Sequence, residues 1–370
     1  MSDAALDLGQ VLWIGFHGTR ASAALLDRIA AGRYGSTILF KRNLELAGEQ
    51  TDLDALCALT GELRRTAPDG TPCTIAVDQE GGLVQRIRAP ATEWPPMRAH
   101  DRATGDVEQL AERVGLAMGS ELRALGFDID FAPVLDIHTN PANPIIGDRA
   151  FGTDPHTVAR RALAFARGLA AAGILACGKH FPGHGDTATD SHLELPRVDH
   201  PIERMERVEL APFADAAAAG IPMIMTAHVV FPAIEQGVPA TLSHAAITGL
   251  LRGKLGYRGV IVSDDLDMKA IADPPAAAIA AIRAGCDVLL LCNNEATQDA
   301  VEAALRRELE GDSGFRALLG EAATRVRAMK RAHAEGQRAQ PARAVVGSAE
   351  HQALAVLLRE GEARRVPEGG

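Results

Sequence analysis

VEQLAERVGLAMGSELRALGFDIDFAPVLD, residues 107–136, decides the fold. Its first part places apolar residues at helical spacing and stops at Gly126, the residue type that closes helix C-termini. From Phe127 the pattern changes to a short, dense apolar run, which reads as a strand covered on both faces. Helix, glycine, strand is the unit of a βα repeat. Working outward, further strand candidates are VLWIGF (11–16), STILF (36–40), CTIAVD (73–78), ILACGKH (174–180), IPMIMTAHV (221–229), GVIVSDD (259–265) and CDVLLLC (286–292), with FDIDFAPVLD (127–136) fourth in order. Helical stretches such as DLDALCALTGELRRT and HTVARRALAFARGLAAAG lie between them, and Gly173, Gly220, Gly256 and Gly285 stand where Gly126 does. Eight such units predict an α/β chain folded as a (β/α)8 TIM barrel, a fold of about 250 residues or more. A doubly wound open sheet is the alternative, but GFHGT after the first strand lacks the glycine fingerprint that fold usually carries.

The barrel is expected to occupy residues 1–336 as one domain. Residues 337–370 are expected to form a linker, a short helix within 347–361 and a disordered tail, with no second domain. At 370 residues, 47% apolar and mean hydropathy near zero, the chain can bury a substantial core. A formal charge of −10 and no Lys/Arg-rich face argue against a nucleic-acid partner. The five cysteines form no CxxC pair and predict neither a disulfide framework nor a zinc site; they read as small buried hydrophobes in a reducing compartment. MSDAALDLGQ has no basic segment followed by an apolar one, and no apolar run is long enough to span a bilayer. A cytoplasmic protein without a membrane partner is the expectation.

In a barrel of this kind, reactive residues collect where strands end. Here Asp78-Gln79-Glu80-Gly81-Gly82 and Arg86 follow the third strand, and Asp136 ends the fourth, whose loop carries Asp148-Arg149. The fifth runs into Lys179-His180-Phe181-Pro182-Gly183-His184-Gly185, with Asp190-Ser191-His192 beyond; His228 ends the sixth, and Ser263-Asp264-Asp265 the seventh. Any one of these is as well explained as a structural hydrogen-bonder. Five successive strand ends so equipped predict a polar active site. Asp190 and His192, two residues apart, suit a carboxylate–imidazole pair for proton transfer, whereas a lone loop histidine reads as a solvated surface residue.

KHFPGHG, four residues and then DSH (179–192) resembles the signature of family 3 glycoside hydrolases, in their β-N-acetylhexosaminidase branch. DQEGGLVQR (78–86), FAPVLDI (131–137), Asp148-Arg149 and VIVSDDLDM (260–268) extend the resemblance over roughly residues 9–335. It implies a retaining enzyme that removes terminal β-N-acetylglucosamine, with Asp264 as nucleophile and His192, partnered by Asp190, as acid/base. Asp78, Arg86, Arg149, Lys179 and His180 would bind the sugar. The resemblance gives every role to a side chain, implying no cofactor and no metal. It suggests a carbohydrate partner derived from peptidoglycan, a muropeptide released in cell-wall recycling. The sequence leaves the oligomeric state open, with a monomer favoured. FHGT after the first strand and DMKAIADPP after the seventh depart from the family pattern.

Four other readings compete. A phosphorylase would use the same residues, with phosphate replacing water. A Schiff-base lyase would use Lys179 as its nucleophile. A metal hydrolase would draw on His180, His184, His192 and His228 but lacks an HExxH motif. A non-catalytic sugar-binding protein would leave Asp264 and His192 without purpose.

Overall fold

The computed structural model describes residues 3–65, 72–187, 195–336 and 339–361. Eight strands pair in parallel and close on themselves: β1 (Leu12–Gly15), β2 (Ser36–Leu39), β3 (Thr74–Val77), β4 (Ile129–Asp130), β5 (Leu175–Phe181), β6 (Met223–Thr226), β7 (Val260–Asp265) and β8 (Val288–Leu291). Closure joins the first strand to the last, with Trp13 beside Leu290 and Ile14 beside Leu291. The (β/α)8 barrel expected from the sequence is the observed fold.

Alternation along each strand explains why the runs are apolar throughout. Trp13, Ile38, Ala76, Ile129, Cys177, Met223, Val260 and Val288, one from each strand, belong to one buried cluster that fills the barrel. Their neighbours Leu12, Ile14, Leu39, Ile75, Val77, Ile224, Ile261 and Leu289 belong to the cluster between barrel and helices. Both faces are buried, so no polar alternation survives. Each large side chain so buried contributes about 1.5–3 kcal/mol. Four cysteines are buried and Cys57 is partly so; all are unpaired thiols.

The fourth strand is shorter than FDIDFAPVLD suggested. Its ladder stops after Asp130, and pairing resumes only as a single bridge between Val134 and Lys179. Pro133 has no N–H to give the ladder, so the two chains stay joined there through the carbonyls of Ala132 and Pro133, which accept from Cys177 and Lys179. After β7, the DMKAIADPP segment leads to a helix at Pro274–Ala284, capped by Asp273, whose carboxylate accepts from the Ala276 amide. No helix among the described residues is long and apolar enough to cross a membrane.

Helices Glu295–Gly311 and Ser313–Gly336 complete the outer ring, and a further helix, Ala349–Glu360, buries Leu354, Ala355 and Leu358 against the body. Residues 337–338 of the expected linker and 362–370 of the expected tail lie outside the described residues. The last helix is pinned by the buried carboxylate of Glu121, on helix Val107–Ala124. Glu121 accepts from His351 Nδ1 at 2.8 Å, the Gly347 amide at 3.1 Å, the Thr92 amide at 3.0 Å and the Thr92 hydroxyl. Thr92 in turn offers its carbonyl to Gln85, so this brace reaches the loop that begins at β3. Glu121→Ala strands these donors and is expected to lower stability by about 2–4 kcal/mol, whereas His351→Ala removes one donor and costs about 1 kcal/mol. Thermal unfolding checks this; a shift for Glu121→Ala no larger than for Glu310→Ala at the surface would refute the brace.

Candidate active site

Loops leaving β3 and β4 meet the end of β5 in one buried ion network. Asp78, one residue past β3, accepts from Lys179 Nζ at 2.8 Å and from the Arg86 guanidinium at 2.9 Å. Glu80 lies two residues further, on the same side of the extended chain, and meets Lys179 at 2.6 Å. Arg149 grips Glu80 with two bonds, 2.7 and 2.9 Å, in the bidentate geometry that makes such pairs strong. Arg86 returns toward Asp78 because the chain reverses at Gly81-Gly82, where φ is +95° and +62°. A Cβ on Gly82 would lie 2.8 Å from Pro96 Cβ, so the turn needs glycine twice over.

The ionisation of this network follows from its geometry. Burial pushes Asp78 up, but Lys179 and Arg86 outweigh it and hold the carboxyl well below the usual range. Burial likewise opposes Glu80, and Arg149 with Lys179 brings it down to about 2. Burial acts to lower Lys179, yet Asp78 and Glu80 hold it above its ordinary value. The favoured form is an ammonium ion. A Schiff-base lyase needs the neutral amine, so the setting of Lys179 opposes that reading.

A second anchor shapes the KHFPGHG loop. The buried carboxylate of Asp136 accepts from His180 Nδ1 at 2.6 Å, from the His184 amide at 2.6 Å and from the His180 amide at 3.2 Å. A carboxylate only accepts, so His180 carries its proton on Nδ1 and its tautomer is set. Burial pushes Asp136 up, and His180 above all draws it below the usual range. The loop packs so tightly that a Cβ on Gly185 would come within 1.7 Å of the Ile137 carbonyl. Burial lowers His184 to about 4, and its Nδ1 faces the Thr187 hydroxyl at 2.8 Å.

Across the barrel mouth, β7 ends in Ser263-Asp264-Asp265. The two neighbouring carboxyls are in different settings. Asp265 Oδ1 accepts the amides of Cys292 and Asp267, and its Oδ2 accepts from Asn293 Nδ2, each at 3.0 Å. Burial pushes Asp265 up to about 7, against those amides. Asp264 Oδ1 accepts the Asp265 amide at 2.8 Å.

Asp78, Arg86, Arg149, Lys179, His180 and Asp264, all singled out from the sequence, line one cavity of about 440 Å³. That is within the range of small-molecule sites. Asp190 and His192 lie outside the described residues. Sequence reasoning left Glu80 and Asp136 without a role, although both order the site. Glu80 was discoverable, because strand period two puts it beside Asp78. Among the described residues, no group of three His, Cys, Asp or Glu is placed to hold a metal.

The chain matches the glycosyl hydrolase family 3 N-terminal domain over residues 5–328. A relative named Beta-hexosaminidase from Alkalilimnicola ehrlichii is 44% identical over 302 residues, 80% of this chain and 83% of the relative. Among solved structures, a glycoside hydrolase family 3 beta-N-acetylglucosaminidase from Paenibacillus superposes with TM-score 0.85 and 36% identity, covering 97% of this chain and 68% of that one. NagZ from Neisseria gonorrhoeae, in complex with N-trifluoroacetyl-D-glucosamine, superposes with TM-score 0.71 and 32% identity, covering 86% and 98%.

The network predicts an acid-sensitive contribution. The folded value of Glu80, about 2, lies below its ordinary 4.5, so its stabilisation is complete above pH 4.5 and lost as pH falls toward 2. Glu80→Gln breaks a buried pair and is expected to cost about 3–5 kcal/mol near neutral pH. The variant should also show a shallower loss of stability across that acid window. Unfolding midpoints at a series of pH values test this; parallel curves for wild type and variant would refute it.

Proposed function

The chain belongs to glycosyl hydrolase family 3, and we propose that it removes terminal non-reducing β-N-acetylglucosamine with retention of configuration. The observation that carries this reading is the pairing, in one cavity, of the Asp264 carboxylate with a pre-paired set of charged hydrogen-bonders opposite it. Asp78, Arg86, Arg149, Lys179 and His180 suit the hydroxyls and acetamide of a single sugar ring. Being locked together before substrate arrives, they lose little freedom on binding.

In the proposed mechanism, the Asp264 carboxylate attacks the anomeric carbon while His192, oriented by Asp190, protonates the departing oxygen. The same imidazole, now neutral, takes a proton from water, which displaces Asp264 from the glycosyl ester. Two displacements at one carbon restore the β-configuration. The roles of Asp190 and His192 rest on the family resemblance of the DSH motif. A muropeptide aglycone and a place in cell-wall recycling rest on the wider family resemblance, and a cytoplasmic site of action draws also on five cysteines that read as thiols of a reducing compartment. An aromatic content of 4% agrees with a site for one sugar rather than a long cleft stacked with Trp and Tyr.

p-Nitrophenyl β-N-acetylglucosaminide should be cleaved far faster than the β-glucoside, since losing the acetamide leaves buried polar groups unpaired. Added phosphate should leave turnover unchanged; a requirement for it would make the enzyme a phosphorylase. Asp264→Ala should lower kcat by several orders of magnitude, and a fluorosugar label should map to Asp264. A label on Asp265 would overturn the assignment.

His192→Ala should slow cleavage of an oligosaccharide by about 10²–10⁴-fold. It should spare the first step on the p-nitrophenyl glycoside, whose leaving group needs no proton. Equal losses on both substrates would reject the acid/base role.

A further inference from the structure

We infer that His228 is a positioning residue for the reaction: through the carbonyl of Asp265 it holds the strand end whose amide fixes the Asp264 carboxylate. The inference rests on the reading of Asp264 as the attacking group.

His228 follows β6 and is fully buried. Its Nε2 lies 3.1 Å from the Asp265 carbonyl, and its Nδ1 lies 2.9 Å from the Thr241 hydroxyl. A carbonyl only accepts, so Nε2 carries a proton and donates it. Thr241 can then donate to Nδ1 while accepting from the Thr226 hydroxyl, 2.8 Å away. The Thr241 hydroxyl has one proton and lies 3.0 Å from the Ala227 carbonyl as well as 2.9 Å from Nδ1; given to Nδ1, that proton leaves the carbonyl to the Thr241 amide. A chain of hydrogen bonds thus runs from the end of β6, through the ring, to the backbone of β7.

Asp265 is pinned on its other sides as well. Its carboxylate is held to β8 by the Cys292 amide and Asn293, and the next amide, Leu266, donates to the Leu290 carbonyl. Held at carbonyl, side chain and following peptide, Asp265 has its own N–H directed at Asp264 Oδ1, 2.8 Å away. That bond restrains the rotation of the carboxylate that must meet the anomeric carbon. It also acts in the second step. As water adds to that carbon and gives its proton to the base, the electron pair of the breaking C–O bond returns to Asp264. An amide already bonded to Oδ1 stabilises the charge as it grows. Packing alone does not account for an imidazole here, since an apolar side chain would fill a fully buried position without polar groups to satisfy.

The test compares His228→Leu, which removes the donor, with His228→Gln, whose amide can still reach the Asp265 carbonyl. kcat and KM are measured on p-nitrophenyl β-N-acetylglucosaminide, and a fluorosugar label is mapped in the wild type. Slight misplacement of a reacting group costs up to about 10²-fold, so His228→Leu should lose about 10–100-fold in kcat. KM should stay near the wild-type value, because the sugar-binding network is untouched, and His228→Gln should recover most of the loss. Equal kcat losses in the two variants, or a loss confined to KM, would overturn the inference. If the Leu variant does not fold, Thr241→Val against Thr241→Ser makes the same comparison one bond further out: a kcat loss restored by Ser supports the chain, and no loss overturns it. A wild-type label on a residue other than Asp264 would overturn the reading of the nucleophile itself. A label on Asp264 with unimpaired His228 variants would overturn only the role of His228.

Discussion

The Lys179 ammonium is 2% exposed and sits between two carboxylates, and the site is organised around keeping it paired. An unpaired charge so buried would cost several kcal/mol. Asp78 and Glu80 prevent that cost, and each needs a second cation in turn, supplied by Arg86 and Arg149. The five side chains come from three stretches of chain, so the network fastens the loops after β3 and β4 to the end of β5. Three cations against two carboxylates leave one positive charge in excess. A polar surface thus exists before any sugar arrives, and its hydrogen-bonding directions are set by the ion pairs rather than by the ligand.

The opposite wall is built on a different principle. Around Ser263 and Asp265 the described partners are mainly backbone groups: Ser263 Oγ accepts the Leu290 amide, and Asp265 accepts the amides of Cys292 and Asp267. Neutral donors stabilise a buried carboxylate less than cations do. Asp78 is therefore held below the usual range, whereas burial carries Asp265 to about 7. The same residue type behaves oppositely at the two sides of one cavity, and the cause is the charge of its neighbours. A cationic wall suits gripping a ligand; a wall of amide donors suits the role proposed for Asp264, whose carboxylate would give up its charge in one step and regain it in the next.

The strands were legible because each is covered twice, by the barrel filling and by the helices, and so appears as a dense apolar run. The fourth was misjudged in length because FDIDFAPVLD remains apolar past the point where Pro133 cannot serve the ladder. Asp78, Arg86, Arg149, Lys179, His180 and Asp264 were legible as polar residues placed where strands stop. Glu80 and Asp136 were harder to place because their importance lies in what they hold, Arg149 with Lys179 in one case and the KHFPGHG backbone in the other.

The sequence by itself determined the order of strands and helices, a repeating βα architecture for which a closed barrel was favoured over an open sheet, and the set of strand ends that carry polar groups. These follow from patterns among near neighbours in the chain, where period two or 3.6 decides which face each side chain takes. Only the tertiary structure decided which charges pair. Asp78 and Lys179 are 101 residues apart, Glu80 and Arg149 are 69 apart, and His228 reaches Asp265 across 37. Such contacts exist only once the barrel has closed and brought its strand ends to one rim. Pairing then depends on distance and desolvation in three dimensions, which no local pattern encodes.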